Sequence, residues 1–225
     1  MPVYLLDKSP VFPDPNDASE EGLLAIGGDL SVDRLVEAYK HGIFPWYSDD
    51  DPVLWWSPDP RFVLFPEKFR MSKNLKNLIK SGKFKVSFNT DFPGIIHQCA
   101  VVNRKHEDGT WITRDMENAY TALHKAGFAH SVEVYLHGNL AGGLYGVSLG
   151  RAFFGESMFH LVNDASKVAL YYLVEKSKEN GILFIDCQLR TNHLAQIGAE
   201  EISRKQYLHF LNIALSDKTI NYFKS

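Results

Sequence analysis

Two short segments place acidic or amide side chains among apolar neighbours in a way that suggests chemistry. In Ile185-Asp186-Cys187-Gln188, strand alternation predicts Asp186 and Gln188 on one face and Ile185 and Cys187 on the other. A carboxylate within an apolar run must be paired or useful, because an isolated buried charge is costly. The plain reading of Asp186 is a cap for the turn that follows. Gly155-Glu156-Ser157 adds a second carboxylate in a neighbouring strand segment, and two acids facing one cleft would bind a cationic group.

A third feature is basic. Lys68, Arg70, Lys73, Lys76, Lys80, Lys83 and Lys85 fall between positions 66 and 85 against the single acid Glu67, in a chain whose net charge is -3. Lys73, Lys76, Lys80 and Lys83 recur at three and four residues, so they share one helix face and its C-terminal end. Such a face is either a solvated surface favoured by the helix dipole or a track for nucleic-acid phosphates, where each neutralised phosphate releases counterions. The scarcity of acids favours the track.

Other chemistry is disfavoured. The nine histidines show no metal-ligand spacing, and no cysteine set accompanies them, so a metal is not expected. There is no G-x-x-x-x-G-K-[ST] loop, and Gly142-Gly143 with Gly146 does not match a dinucleotide fingerprint, so no cofactor is expected. Two cysteines, Cys99 and Cys187, suit a reducing compartment. No apolar run is long enough for a bilayer, and no basic segment precedes the first apolar residues, so we expect a cytoplasmic protein with no membrane partner. The pair Trp55-Trp56 reads as core or a joint more readily than as a ligand platform, and Asp49-Asp50-Asp51 as a solvated loop.

These residues need elements to hold them. Residues 1–62, rich in Pro, Gly and Trp, read as a small, loop-rich N-terminal domain with one helix from the cap Ser31 to Gly42. Residues 63–225 read as the larger domain. A helix capped by Ser72 carries Leu75, Leu78 and Ile79 and leads into a strand through Phe84, Val86 and Phe88. A helix follows from Phe92, and another runs from the cap Thr113, burying Met116, Tyr120 and Leu123. The period then shortens to two over Val132, Val134 and Leu136. His137-Gly138-Asn139 turns the chain, and strands at 140–149 and 152–159 follow. A helix at 164–178, a buried strand at 182–187, a short helix near Leu194, a strand at 201–203 and a closing helix complete an α+β pattern. Its order suits an acetyltransferase-like (GNAT) core.

The blocks Phe12-Pro13-Asp14-Pro15, Gly42-Ile43-Phe44-Pro45-Trp46-Tyr47, Leu54-Trp55-Trp56-Ser57-Pro58-Asp59-Pro60-Arg61, Thr110-Trp111-Ile112-Thr113-Arg114, Asn163-Asp164-Ala165-Ser166-Lys167 and Phe184-Ile185-Asp186-Cys187-Gln188 carry a resemblance. So do the stretches from Gly22 to Ser31 and from Gly142 to Phe159. Together they make the chain similar, over nearly its whole length, to the leucyl/phenylalanyl-tRNA-protein transferase family.

That resemblance implies transfer of leucine or phenylalanine, with methionine a further donor, from its tRNA to the N-terminal Arg or Lys of an acceptor protein. The peptide bond forms without ATP, because the ester already stores the driving force, and the product is marked for degradation. It implies a small domain joined to an acetyltransferase-like one, acting as a monomer. It implies Asp186 and Gln188 as the catalytic pair, with Glu156 beside them. Leu144, Phe153, Leu173 and Ile185 would line the aminoacyl pocket, and Trp46 and Trp111 would lie at the terminal adenosine and pocket mouth. The basic tract, with Arg104 and Lys105, is then the candidate contact for the tRNA acceptor stem. The best-known family member has Met and Phe where Leu144 and Leu173 stand, which leaves the order of Leu and Phe donors open.

Two rival functions have sequence support. A small-molecule acetyltransferase would use the same fold, but no R-x-x-G-x-G pyrophosphate loop is present. A non-catalytic RNA-binding module would account for the lysines and leave Asp186, Gln188 and Glu156 unexplained.

Overall fold

The computed structural model describes residues 3–102 and 112–216. In chain order the elements are β1 (Tyr4–Leu6), β2 (Leu23–Gly27), α1 (Val32–Lys40), β3 (Phe44–Pro45), β4 (Leu54–Trp56), β5 (Arg61–Leu64), α2 (Lys73–Lys80), β6 (Lys85–Phe88) and α3 (Phe92–Val101). There follow α4 (Arg114–Lys125), β7 (Ala129–Leu136), β8 (Asn139–Leu149), β9 (Ala152–His160), α5 (Ala165–Glu179), β10 (Phe184–Gln188), α6 (Asn192–Gln196), β11 (Glu200–Ile202) and α7 (Arg204–Ser216).

Helix starts are set by side-chain caps. The Ser31, Ser72, Thr113 and Thr191 oxygens accept bonds from the backbone N–H groups of Arg34, Leu75, Met116 and Leu194. Each cap satisfies an N–H that the helix cannot, a contribution of about 1 kcal/mol. Between β7 and β8, Leu136 pairs with Asn139, so the turn is His137-Gly138, both at positive φ. That two-residue geometry matches the twist of the strands.

The large sheet has seven strands in the order β11-β5-β10-β9-β8-β7-β6. Its strands are antiparallel to their neighbours except for β9 and β10, which run parallel. Strand alternation sorts the side chains between two cores. Val63, Val147, Phe154 and Phe184 join the residues of α1, α3, α4 and α7 on one face. Phe62, Leu64, Leu144, Phe153 and Ile185 join those of α2, α5 and α6 on the other. Helices therefore cover both faces, and the chain is α+β.

The N-terminal region is loop-rich, as expected, and its short strands also pair into a sheet. It builds a four-stranded sheet in the order β1-β2-β4-β3 from strands of two to five residues. Strands this short, interrupted by Gly and Pro, leave too little alternation to read. Phe12, Leu24 and Trp55 share one apolar cluster with Phe92, Tyr120 and Phe154, so the small sheet is packed into the same core as the large one. Strand β5, beginning at Arg61, lies inside the large sheet between β11 and β10.

Candidate active site

The site grows from a split in the large sheet. Strands β9 and β10 pair over only three positions, Phe184 with Ala152, Ile185 with Phe153 and Asp186 with Phe154. The β8–β9 ladder shifts register between Tyr145 and Gly146, and the β10–β5 ladder shifts between Asp186 and Gln188. Gly146 permits the first shift, since a Cβ there would run into the Phe154 carbonyl oxygen and the Phe153 ring. Bulges of this kind re-aim side chains and end pairing. Where the strands part, a cavity of about 230 Å³ opens, lined by Leu144, Tyr145, Gly155, Glu156, Ser157, Met158, Leu170, Leu173, Ile185, Cys187, Gln188, Thr191 and Leu194.

The bulge also changes the expected arrangement of Asp186 and Gln188. Gln188 adopts φ 56°, in the left-handed region, so simple alternation fails between the two residues. Gln188 lines the cavity with Ile185 and Cys187, while Asp186 is fully buried and does not. Arg61 donates to the Asp186 carboxylate twice, Nε to Oδ1 at 2.9 Å and Nη2 to Oδ2 at 2.7 Å. The Tyr207 hydroxyl donates to Oδ2 at 2.8 Å, and the Gln188 backbone N–H donates to Oδ1 at 2.9 Å. Arg61 also lies over the rings of Phe44 and Tyr207, 4.8 and 4.5 Å from their centroids. Burial opposes its charge, but Asp186 and Tyr207 together hold the guanidinium above its ordinary pKa. The carboxylate is thereby neutralised by a bidentate partner and tied to the backbone that shapes the bulge.

Glu156 is the acid that faces the cavity. Tyr39 from α1 donates to its Oε1 at 2.7 Å and Tyr120 from α4 donates to Oε2 at 3.0 Å. The two hydroxyl oxygens also lie within hydrogen-bonding distance of each other, so either tyrosine can donate to the other in place of its bond to the carboxylate. Burial pushes the Glu156 carboxyl up to about 7, the tyrosine bonds hold the rise back, and nearby Asp186 adds to it. The group therefore changes charge near neutral pH, which is a common property of functional carboxylates. Cys187 also lines this wall. Burial pushes its thiol up, so it stays a neutral, weakly polar surface.

Of the residues expected in an aminoacyl pocket, Leu144, Leu173 and Ile185 line the cavity. Phe153 does not line it; the ring is buried beneath, close to Gly146. Trp46 is 41% exposed beside Trp56, with ring centroids 5.8 Å apart, and is not part of the cavity wall. Trp111, Arg104 and Lys105 lie outside the described residues. The residues that sequence reasoning passed over are Arg61, Tyr207, Tyr39 and Tyr120. A strand that opens with Arg and continues Phe-Val-Leu was itself the signal for Arg61, because a buried guanidinium requires an acid.

All seven basic residues of the 68–85 tract are exposed. Lys68 pairs with Glu200 at 2.5 Å and lies over the Phe65 ring. Lys73, Lys76 and Lys80 project from α2, and among the described residues they have no ion-pair partner within 4 Å. Among the described residues there is no cluster of three or more His, Cys, Asp or Glu that could hold a metal ion, and no helix long and apolar enough to cross a membrane.

Comparison with known proteins places this geometry in a family. The model for leucyl/phenylalanyl-tRNA protein transferase matches residues 63–212, and the model for the N-terminal domain of the same family matches residues 28–59. The leucyl/phenylalanyl-tRNA--protein transferase of Desulfatibacillum aliphaticivorans is 52% identical over 220 residues, covering 98% of this chain and 94% of its own. That of Thermodesulfovibrio yellowstonii is 53% identical over 220 residues, covering 98% and 90%. Among solved structures, a GCN5-related N-acetyltransferase from Kribbella flavida is similar at 8% identity and TM-score 0.40, covering 75% of this chain and 60% of that one, a likeness too slight to build on. The chain belongs to the leucyl/phenylalanyl-tRNA protein transferase family.

Proposed function

We propose that the protein transfers leucine or phenylalanine, with methionine a further donor, from aminoacyl-tRNA to the N-terminal Arg or Lys of an acceptor protein, acting as a cytoplasmic monomer and marking the product for degradation. The observation that carries this reading is the cavity between the parted strands, walled by Leu144, Leu173 and Ile185 and bordered by Glu156 and Gln188. At about 230 Å³ it is smaller than the roughly 300–1,000 Å³ of pockets that hold drug-sized ligands, and suits one apolar side chain.

In this reading the donor's side chain fills the cavity and its ester carbonyl lies beside Gln188. The acceptor's α-amine attacks that carbonyl, a C–N bond forms, the ester C–O bond breaks, and the ribose hydroxyl leaves with a proton originating on the amine. An α-amine has a pKa of roughly 7.7–8.0, so a useful fraction is neutral near pH 7 without a strong base. No nucleotide is needed, because the bond being broken is already activated.

Three side chains take distinct parts. Gln188 cannot act as a base and fixes the carbonyl or the amine through its amide. Asp186, sealed behind the wall by Arg61 and Tyr207, serves as a positioning residue that holds the Gln188 backbone in its bulge. Glu156 faces the cavity and attracts the cationic acceptor terminus. Alignment of amine and ester then supplies most of the rate, an effect that can be worth about 7 to 11 kcal/mol. The unpaired lysines of α2 hold the tRNA acceptor stem through its phosphates, and residues 1–62 contribute Tyr39 and Trp46 from the smaller N-terminal unit.

The test is transfer of radiolabelled leucine from leucyl-tRNA to an Arg-initiated peptide, with isoleucyl-tRNA and a Glu-initiated peptide as controls. Label only in the matched pair is expected. Intact tRNA binding without any transfer would favour the non-catalytic RNA-binding reading.

A further inference from the structure

A second cavity, of about 350 Å³, shares a wall residue with the aminoacyl cavity. Leu170 of α5 lines both cavities, and α6 also separates them, presenting Leu194 to one and His193 to the other. The second cavity has a floor of Phe69, Met71, Leu75 and Ile197, and its polar wall is formed by Arg70, Lys167 and His193. No acidic residue lines it.

Each part of this lining has a recognisable use. Arg70 is exposed and, among the described residues, makes no ion pair within 4 Å, while Lys167 is held at the rim by Asp164 at 2.7 Å. Burial and then the charge of Lys167 hold His193 below its ordinary pKa, so at neutral pH it is an uncharged ring offering one donor and one acceptor. Cations beside an apolar floor with a neutral hydrogen-bonding edge match a nucleotide, whose base is flat and apolar on its faces and polar at its rim. The cavity opens beside Ser72, at the N-terminus of α2, so it continues the surface that carries Lys73, Lys76 and Lys80.

We infer that this second cavity binds the nucleotide preceding the terminal adenosine of the donor, its base against the Phe69–Leu75 floor and its phosphate between Arg70 and Lys167. The inference rests on the transfer reading above and deepens it. The shared Leu170 wall sets the two cavities side by side, and the positive charge of the lysine face continues into the second at Arg70 and Lys167.

The test uses the full chain and two minimal donors, leucyl-adenosine and the leucyl ester of the dinucleotide cytidylyl-adenosine, with an Arg-initiated peptide as acceptor. Wild-type protein is expected to use the dinucleotide donor with kcat/KM about tenfold higher, the worth of one stacked base. In Lys167→Ala and in His193→Ala the ratio of the two kcat/KM values should fall toward one. Because the ratio is internal to each variant, partial loss of folded protein cancels from it. Equal use of both donors by the wild type, or an advantage that survives in both variants, would overturn the subsite. Failure of wild-type protein to transfer from leucyl-tRNA itself would instead overturn the transfer reading.

Discussion

Arg61 and Asp186, 125 residues apart in sequence, meet side by side with both side chains fully buried, joined by two hydrogen bonds of 2.9 and 2.7 Å. The pair spans neighbouring strands β5 and β10 at the point where the β10 ladder slips, so it fixes the bulge that turns Gln188 into the cavity.

Removing one partner of such a pair strands the other as a buried, unpaired charge. Asp186→Asn is therefore expected to destabilise the fold by about 3–5 kcal/mol, measured as a lower denaturation midpoint with an unchanged slope. An Asp186→Asn protein of wild-type stability that had lost only kcat would show that the carboxylate acts as a base and not through position.

Glu156 should make both stability and acceptor use depend on pH. Its folded-state value of about 7 lies above the ordinary 4.5, so the stabilisation is complete below about 4.5 and is lost as pH rises through about 7. Glu156→Gln should flatten that decline in thermal unfolding between pH 4.5 and 7. In the wild type, KM for an Arg-initiated peptide should fall as Glu156 ionises; in the variant it should be higher by about 10- to 100-fold and independent of pH in that range. A wild-type pH profile retained by the variant would assign the titration elsewhere.

The lysine face predicts a salt dependence. If Lys73, Lys76 and Lys80 contact acceptor-stem phosphates, the triple alanine variant should lower the slope of log Kd against log salt by roughly 2 to 3, without altering preference among tRNA sequences. Identical slopes for variant and wild type would make this face a solvated surface.

Leu144 is part of the apolar wall of the cavity. Leu144→Ala should move donor preference toward phenylalanine by about 1–3 kcal/mol, read as the ratio of kcat/KM for the two charged tRNAs. It should also cost about 2–5 kcal/mol of stability, because the side chain is 96% buried in the second core and exposes only 4% of its surface. An unchanged ratio would place the donor side chain somewhere else.

Much of this architecture was legible from local signals. Ser31, Ser72 and Thr113 announce their helices, and His137-Gly138 announces the hairpin, because caps and tight turns depend on a few adjacent residues. Tyr39 and Tyr120 were legible as buried helix residues, but a shared bond to Glu156 joins positions 81 residues apart from each other and follows only from the packing of α1 and α4 against the sheet. The face of Gln188 was misread because period-two alternation assumes a regular strand, and one residue at φ 56° breaks it. The resemblance in turn named Leu144, Leu173 and Ile185, whereas the position of Phe153 below the cavity depends on the close approach that Gly146 allows.

The most direct measurement fills the cavity. Leu173 is 1% exposed and lines the wall, so Leu173→Trp should occupy the space assigned to the donor side chain. Single-turnover transfer of leucine from leucyl-tRNA to an Arg-initiated peptide would be measured beside the binding of uncharged tRNA, which reports whether the variant is folded. The account predicts transfer lower by about 100-fold or more with uncharged tRNA binding retained. Transfer at the wild-type rate with the cavity filled would contradict it.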